Sequence, residues 1–104
     1  MPLTIVVEKN KWKPVFICDY CGREISDAFD GNYEWNRPED AQQVTDIKFL
    51  HKACSRLYGS KYGTLECSMG IHNLMVYLLN NLSLTPDRLE EAHRNTEALS
   101  QFRI

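Results

Sequence analysis

Two short pairs of metal-binding residue types constrain this chain more than any other feature of its sequence. Cys18 and Cys21 form a C-x2-C pair, and His51 and Cys54 form an H-x2-C pair further along the chain. A two-residue spacing lets both side chains of a pair reach one ion from a tight turn or a helix start. Together the pairs supply four nitrogen and sulfur ligands, the tetrahedral set of a structural zinc site. The sequence therefore predicts one structural Zn²⁺ bound by Cys18, Cys21, His51 and Cys54.

The residues around each pair fit this prediction. Gly22 directly follows Cys21, and glycine permits the close turn in which backbone N–H groups point at the thiolate sulfurs. Residues 52–58 form a predicted short helix with Gly59 as its C-terminal cap. Cys54 then falls in the first turn of that helix, where the helix dipole favours a thiolate.

The strand before the second pair carries the histidine to the apolar side of the chain. Residues 44–51 alternate with a period of two, which is typical of a half-buried strand. One face of this strand carries Ile47, Phe49 and His51. The polar residues Asp46 and Lys48 lie on the opposite face. His51 therefore points to the side where a metal ligand is needed.

Other patterns predict further short strands and two helices. The predicted strands are residues 3–7, 15–17, 25–29 and 33–35, with a polar break at 9–13, a tight turn at Asp30-Gly31-Asn32, a loop at 36–43 and a linker at 60–66. Apolar residues at helical spacing between 71 and 82 predict one helix. A second helix is predicted to begin with Thr85 as its N-cap and Pro86 at its first position. The inward stripe of this helix is Leu89, Ala92, Thr96 and Leu99.

These elements predict an α+β fold in a single domain, residues 1–104. Residues 1–62 form the zinc-binding, β-rich module. Residues 63–104 form an antiparallel helical hairpin, because the connection between its two helices is short. We expect this hairpin to pack on the zinc module.

The two ligand pairs resemble the treble-clef group of zinc modules, which includes LIM-like fingers. In that group a C-x2-C-G knuckle precedes a β-hairpin, and the second ligand pair lies at a strand end and in the first turn of a helix. The segments ICDYCGREI and IKFLHKACSRLYG match those two parts. The stretch CDYCGREISDAFDGNYEW also looks like small bacterial proteins of unknown function built on this module. The resemblance covers roughly residues 14–59 and implies fold and metal rather than activity.

One departure from LIM spacing concerns the insert between the two pairs. Twenty-nine residues separate Cys21 from His51. Lengthening such a loop from about 20 to about 29 residues costs only about 0.3 kcal/mol of closure entropy. The longer insert is therefore compatible with the metal site, but it weakens any transfer of LIM function.

Other interpretations of the cysteines stay open at the level of sequence. Free cysteine is often a small buried hydrophobic residue, so the four residues could be unrelated core cysteines and a surface histidine. Cys18 and Cys21 could instead form a redox dithiol, since a strand followed by C-x-x-C is also the thioredoxin arrangement. That interpretation leaves the H-x2-C pair unexplained. Cys67 is expected to pack in the interior, and it is the reserve ligand should His51 not bind.

No catalytic constellation is predicted, and we expect a non-enzymatic protein. His72 and His93 border apolar helical stripes and are predicted to be partly buried packing residues. A ββα-metal nuclease would need a histidine beside an open metal position. His72-Asn73 lies inside an apolar helical pattern instead, and four protein ligands close the coordination sphere.

Charge and hydropathy limit the partners. The formal net charge is −2 and there is no Lys/Arg run, so the sequence lacks the electrostatic footprint of a nucleic-acid binder. Residues 1–14 have no basic start and their apolar run ends at Val7, so we expect no signal peptide. The longest apolar stretch, around 74–79, is too short to span a bilayer. A cytoplasmic protein without a membrane partner is expected, and disulfides are rare in that compartment.

Aromatic residues are numerous in the first two-thirds of the chain. They are Trp12, Tyr20, Tyr33, Trp35, Tyr58 and Tyr62. They could pack in the core and between strands, or they could form a contact surface, because Tyr and Trp are enriched at interface hot spots. The predicted function is a structural zinc module that supports protein interaction or self-association. The alternatives are nucleic-acid binding related to transcription, disfavoured by the charge, and a thiol oxidoreductase that uses Cys18 and Cys21.

Overall fold

The computed structural model describes residues 3–40 and 42–99, with side chains described as far as residue 95 in the last helix. The elements in chain order are β1 (Leu3–Glu8), β2 (Lys11–Ile17), β3 (Glu24–Ile25), a 3-10 helix (Ala28–Asp30), β4 (Gly31–Trp35), β5 (Lys48–His51), α1 (Lys52–Tyr62), β6 (Cys67–Gly70), α2 (Ile71–Asn81) and α3 (Pro86–Leu99). The architecture is mixed, with two antiparallel three-stranded sheets ordered β1-β2-β3 and β5-β4-β6. The predicted side-chain positions of Thr96 and Leu99, and residues 100–104, lie outside the described part.

The first sheet begins with a hairpin that the sequence pattern did not predict. Lys9 and Asn10 both have positive φ angles, 52° and 61°. Two such residues between antiparallel strands form the turn whose twist matches a hairpin. The predicted polar break at residues 9–13 is therefore wrong beyond the turn, because β2 already begins at Lys11. Polar side chains at an exposed strand start gave the pattern of a loop.

Pro14 lies within β2, although proline lacks the N–H group that a strand needs. It pairs with Ile5 in the register that starts from Glu8 opposite Lys11 at the turn. Hydrogen-bonded and non-hydrogen-bonded pairs alternate along an antiparallel ladder, so Ile5–Pro14 is a non-hydrogen-bonded pair. The proline nitrogen faces away from β1, and no ladder hydrogen bond is lost.

The second sheet corrects the predicted turn at Asp30-Gly31-Asn32. Gly31 and Asn32 belong to β4, the central strand, which pairs with β5 on one side and β6 on the other. The chain turns earlier, in the 3-10 helix, where the Asp27 carboxylate accepts a hydrogen bond of 2.9 Å from the Phe29 N–H. This local cap ends the predicted strand 25–29 after Ile25, and β3 pairs with β2 rather than with β4.

Gly31 is required by close packing rather than by its backbone angles, which are extended (φ −131°). A Cβ atom at this position would lie 2.6 Å from Cδ1 of Ile71 and 2.7 Å from Cγ2 of Ile25. Both neighbours are buried core residues. The small residue therefore lets α2 approach the central strand.

We expect Gly31→Ala to destabilise the protein, because the added methyl group overpacks a filled interior. Overpacking of this kind costs roughly 1–3 kcal/mol. Chemical denaturation would measure the loss, with Ser68→Ala in the exposed part of β6 as a matched control. Equal stability of the two variants would contradict the packing argument.

The segment between the sheets and α2 also differs from its prediction. α1 continues through Gly59 and is capped by Gly63, whose φ is 98° and whose N–H donates to the Gly59 carbonyl over 3.0 Å. The predicted linker 60–66 is thus shortened to residues 63–66. β6 was missed altogether, since its sequence CSMG has no β-branched residue and gives no strand signal.

The two C-terminal helices begin and end close to their predicted limits. α2 spans Ile71–Asn81, and α3 begins at Pro86 with the Thr85 hydroxyl accepting a hydrogen bond of 3.4 Å from the Arg88 N–H. The close mutual packing of a helical hairpin is not confirmed, because residues 86–95 are all exposed apart from the half-buried Ala92. Across the described residues, neither helix is long and apolar enough to cross a bilayer, and the same holds for α1.

The interior is small and lies where the two sheets meet α2. Its buried cluster consists of Cys18, Ile25, Leu50 and Ile71, all 7% exposed or less. Phe16, Phe49 and Met75 pack against this cluster from β2, β5 and α2. One predicted metal ligand, Cys18, is therefore a member of the hydrophobic core.

Candidate metal centre

The first pair of predicted ligands lies in a tight loop between β2 and β3. The backbone N–H of Cys18 donates to the Arg23 carbonyl over 2.9 Å, and the N–H of Gly22 donates to the Cys18 carbonyl over 3.0 Å. Gly22 has a φ of 74°, a left-handed conformation that favours glycine. The loop closes on itself and places Cys18 and Cys21 on the same side.

The Cys18 thiol is held in a pocket of backbone donors. Its burial opposes ionisation, but hydrogen bonds from the backbone N–H groups of Cys21, His51 and Tyr20 favour the thiolate and lower the pKa to about 7. The His51 N–H lies 3.5 Å from the Cys18 sulfur. The fold therefore stabilises a buried thiolate at this position before any ion is considered.

The second pair lies at the junction of β5 and α1. His51 is the last residue of β5 and the N-cap residue of α1, and Cys54 is the third residue of the helix. The predicted strand 44–51 is shorter in the structure, but it ends at the predicted place. Cys54 is in the first helical turn, as predicted.

Contacts between β5 and the loop bring the two pairs together. The Asp19 N–H donates to the Phe49 carbonyl, the Phe49 N–H donates to the Asp19 carboxylate, and both distances are 2.7 Å. The rings of Phe16 and Phe49 stack with centroids 4.8 Å apart. These contacts fix the Cys18–Cys21 loop against the strand that ends at His51.

The four predicted ligand atoms form one compact group. The three sulfurs and the imidazole nitrogen all lie within 4.8 Å of one another. His51 Nδ1 is 3.3 Å from the Cys21 sulfur and 3.9 Å from the Cys54 sulfur. A tetrahedral ion with bonds of about 2.3 Å to sulfur and about 2.0 Å to nitrogen would separate such ligands by about 3.5 Å. The group is positioned to bind a metal ion.

The histidine is oriented by its second nitrogen. His51 Nε2 lies 3.1 Å from the Glu24 backbone carbonyl. A carbonyl only accepts hydrogen bonds, so Nε2 carries the proton and Nδ1 is left with a lone pair. That lone pair faces the sulfurs. This arrangement is the usual outer contact of a metal-bound histidine, and it sets both tautomer and ring orientation.

The three thiols lie so close together that they ionise together only if a cation offsets their charge. Burial, and after it the neighbouring sulfurs of Cys18 and Cys21, raise the pKa of Cys54 to about 12. Three thiolates at this spacing would repel one another. A divalent ion would remove the repulsion, and binding it would displace the Cys54 proton.

One side of the group is open to solvent. Cys21 is exposed, whereas Cys18 is buried and His51 and Cys54 are half-buried. A surface cavity of about 450 Å³ adjoins the group, and its lining includes Arg23, Glu24 and Asp30 beside three of the ligands. The two pairs thus form a site at the edge of the core with a direct path for an ion.

The remaining histidines and cysteine lie elsewhere. Cys67 is half-buried in β6, opposite Trp35. His72 is half-buried and stacks on Phe29 with ring centroids 4.3 Å apart, in agreement with its predicted packing role. His93 is exposed, so its prediction as a partly buried residue is wrong. It borders the helical stripe of α3, but α3 presents that face to solvent.

The aromatic residues divide between two roles. Tyr33 and Trp35 are half-buried and stack on each other in β4, with centroids 5.2 Å apart. Tyr58 is half-buried and contacts Tyr62. Trp12, Tyr20 and Tyr62 are exposed. Packing therefore accounts for only part of the aromatic content.

Sequence reasoning missed the residues that support the site from outside. Asp19 and the Glu24 carbonyl were not singled out, and neither was the buried Glu34, whose carboxylate accepts a hydrogen bond from Ser55 next to Cys54. Only Asp19 gave a signal in the sequence, because it is a polar residue between two predicted metal ligands. Backbone carbonyls carry no signal in a sequence.

We expect Asp19→Ala to weaken metal binding, because it removes the acceptor that aligns the loop with β5. Outer contacts of metal sites typically contribute roughly 10–100-fold in affinity, and we expect about tenfold here, since Asp19 acts through the backbone. Competition with a chromogenic chelator would measure it. Asp19→Asn retains an acceptor and is the control. An unchanged affinity for the alanine variant would show that the stacked rings suffice.

Comparison with known proteins adds no relative to this geometry: no family model, no curated protein and no solved structure matches the chain.

Proposed function

We propose that this chain is a non-enzymatic zinc-binding protein, in which one structural Zn²⁺ organises a treble-clef-like module that supports protein interaction. The observation that carries the proposal is the compact group of three cysteine sulfurs and one imidazole nitrogen. Its histidine is held in the metal-binding tautomer by the Glu24 carbonyl.

The donor set favours zinc over other cations. Thiolates and imidazole are ligands for zinc, copper and iron, whereas calcium and magnesium prefer oxygen. Three sulfurs and one nitrogen arranged around one point suit the tetrahedral preference of Zn²⁺. The arrangement has the Cys3His composition typical of structural sites.

A structural role is supported by the number and placement of the ligands. Four protein ligands close a tetrahedral coordination sphere, so no position is left for a substrate or an activated water. Cys18 also belongs to the core cluster with Ile25 and Leu50. An ion at this point would connect the interior to the N-terminus of α1.

The treble-clef proposal rests on where the ligands stand in the elements. The first pair follows β2 in a knuckle that β3 closes, and the second pair spans the end of β5 and the first turn of α1. This is the order of ligands and elements that the family resemblance implies. The long insert is held by reciprocal bonds, in which the Arg37 N–H donates to the Glu66 carboxylate and the Glu66 N–H donates to the Asn36 side chain, both over 3.0 Å.

The cysteines also bear on the compartment. None of the four forms a disulfide. Disulfides are rare in the cytoplasm, and a protein that binds zinc through three thiolates suits that compartment, so we propose a cytoplasmic location.

Elemental analysis of the purified protein tests the proposal. We expect about one equivalent of zinc per chain from protein never exposed to a chelator, because four good ligands hold the ion tightly. Well under half an equivalent of any metal would contradict the proposal. Reversible dithiol turnover at Cys18 and Cys21 would favour the oxidoreductase alternative, and tight salt-dependent nucleic-acid binding would favour the other.

A further inference from the structure

The β1–β2 hairpin carries an uncovered apolar face. Alternate residues of a strand share a face, and the register places Val7 opposite Trp12 and Ile5 opposite Pro14. We call the side chains of Leu3, Ile5, Val7, Trp12 and Pro14 the hairpin face. The four largest are between 53% and 63% exposed. Single exposed apolar residues are ordinary, but five contiguous ones form a patch.

Within the described chain, more than half of each of the four largest side chains of this face stays exposed. β1 packs mainly on β2, and β2 pairs with β3 through its last two residues, while Lys13 also reaches Glu24 of β3. Val15, on the opposite face of the hairpin, is buried at 7% exposure. The hairpin thus joins the body of the protein through Val15 on one face and through Phe16 at the far end of the other, and presents the rest of that second face outward.

We propose that the hairpin face binds the same face of a second copy of this chain, so that the protein forms a two-fold symmetric homodimer. The inference rests on the proposed function, since it names the surface and the partner of the interaction module. In a two-fold interface the same patch serves both subunits, so one apolar face is sufficient for both sides.

The size of the patch agrees with this partner. Four largely exposed side chains of this size and one proline present about 500 Å² per copy, near the upper end of what a monomer exposes in one patch. Two such faces bury about 1,000 Å² in total, which reaches the lower limit of specific interfaces. A partner with fewer apolar groups would bury less apolar area over a contact of the same size.

The charges around the face also favour a second copy over an anionic membrane. Lys13 forms ion pairs with Glu8 and Glu24, at 3.3 and 3.1 Å. Lys9 lies in the turn and Lys11 directly follows it. Membrane-surface segments carry a larger basic excess beside their apolar face. With a formal net charge of only −2, two copies repel each other weakly.

The metal centre fixes the base of this face. β2 runs directly into Cys18, and its last residues pair with β3 immediately after the Cys18–Cys21 loop. The orientation of the hairpin relative to the core therefore depends on the same loop that holds two of the ligands. Dimerisation would follow from metal binding without any contact to the ion.

Sedimentation velocity on the zinc-loaded full chain tests the proposal. We expect a monomer–dimer equilibrium that favours the dimer at about 100 µM, together with a blue shift of Trp12 emission as concentration rises. The double variant Ile5→Thr, Trp12→Thr keeps strand-forming residues while removing apolar area, and we expect at least tenfold weaker association. Lys11→Thr, on the opposite face of the same hairpin, is the matched control and should remain dimeric.

Zinc content and circular dichroism of every variant separate loss of association from loss of folding. A wild-type chain that is monomeric at the same concentration overturns the dimer proposal. The zinc proposal is tested separately, by elemental analysis. The dimer proposal also fails if two results coincide: the double variant still dimerises, and Val76→Ser, a substitution on the exposed surface of α2, gives a monomer.

Discussion

Replacing Cys18 by serine is expected to release the metal and unfold residues 15–59. Cys18 is 1% exposed and packs with Ile25, Leu50 and Ile71, so the substitution damages the core as well as the metal site. Structural zinc contributes about 10–16 kcal/mol of apparent binding free energy in finger peptides. A small domain has a total stability of roughly 5–15 kcal/mol, so loss of the ion is enough to unfold it.

Substitutions of the other predicted ligands and of Cys67 complete the series. Cys21→Ser and Cys54→Ser should also lose the metal, although the exposed Cys21 adds no damage to the core. Cys67→Ser is the matched control, because Cys67 lies in β6 opposite Trp35 and outside the ligand group. Metal content by elemental analysis and stability by denaturant unfolding would rank the variants. Should Cys67→Ser lose the metal while His51→Ala retains it, the fourth ligand is misassigned.

The clustering of the four predicted ligands could be predicted because each half of the group is local. A C-x2-C pair followed by Gly22 specifies its own turn, and an H-x2-C pair at the start of a helix specifies the direction of both side chains. The turn is present, with Gly22 in the left-handed region. Spacing within four residues depends on backbone geometry alone, so tertiary structure had little opportunity to alter it.

The strand pairings were harder to predict, since they depend on contacts that are distant in sequence. Asp30-Gly31-Asn32 has the composition of a hairpin turn, yet Gly31 lies in β4 beneath Ile71 of α2. The glycine serves packing against a helix forty residues later. No local pattern distinguishes a glycine needed for a turn from one needed for close approach.

The outer contacts of the site illustrate the same limit. The Glu24 carbonyl holds His51 only because β3 returns to pair with β2, and β3 is two residues long. Such a strand has no recognisable periodicity. The tautomer of the histidine, on which the chemistry of the site depends, therefore followed from the three-dimensional structure alone.

Removing the metal from the wild-type protein is expected to abolish the tertiary structure of residues 15–59. In the described part of the chain, the buried apolar residues are Val15, Cys18, Ile25, Leu50 and Ile71. Burying so few side chains cannot offset roughly 1–2 kcal/mol of backbone entropy for each ordered residue. A bound ion would supply the difference, and α1, which begins next to His51, should unfold with the module when the ion is removed.

α2 and α3 should respond differently from the module. They contain 11 and 14 residues, lengths at which isolated helices are marginal in water. We therefore expect chelated protein to keep part of its far-ultraviolet helical signal. The near-ultraviolet signal should be lost, chiefly from Trp35, which stacks on Tyr33, because Trp12 is already 63% exposed in the folded chain.

Acidification should produce the same change as chelation, because protons compete with the metal for the same ligand atoms. The ligands bind a metal as thiolates and neutral imidazole, while the metal-free Cys54 has its pKa raised by burial and by the neighbouring sulfurs. The metal-bound state therefore carries fewer protons, and lowering the pH favours the metal-free state. Thermal unfolding of chelated, acidified and re-metallated samples, followed by near-ultraviolet circular dichroism, measures all three. A metal-free protein that keeps its melting temperature and the Trp35 signal would show that the ion does not hold the fold together. The module would then need a source of stability other than the ion and its small core.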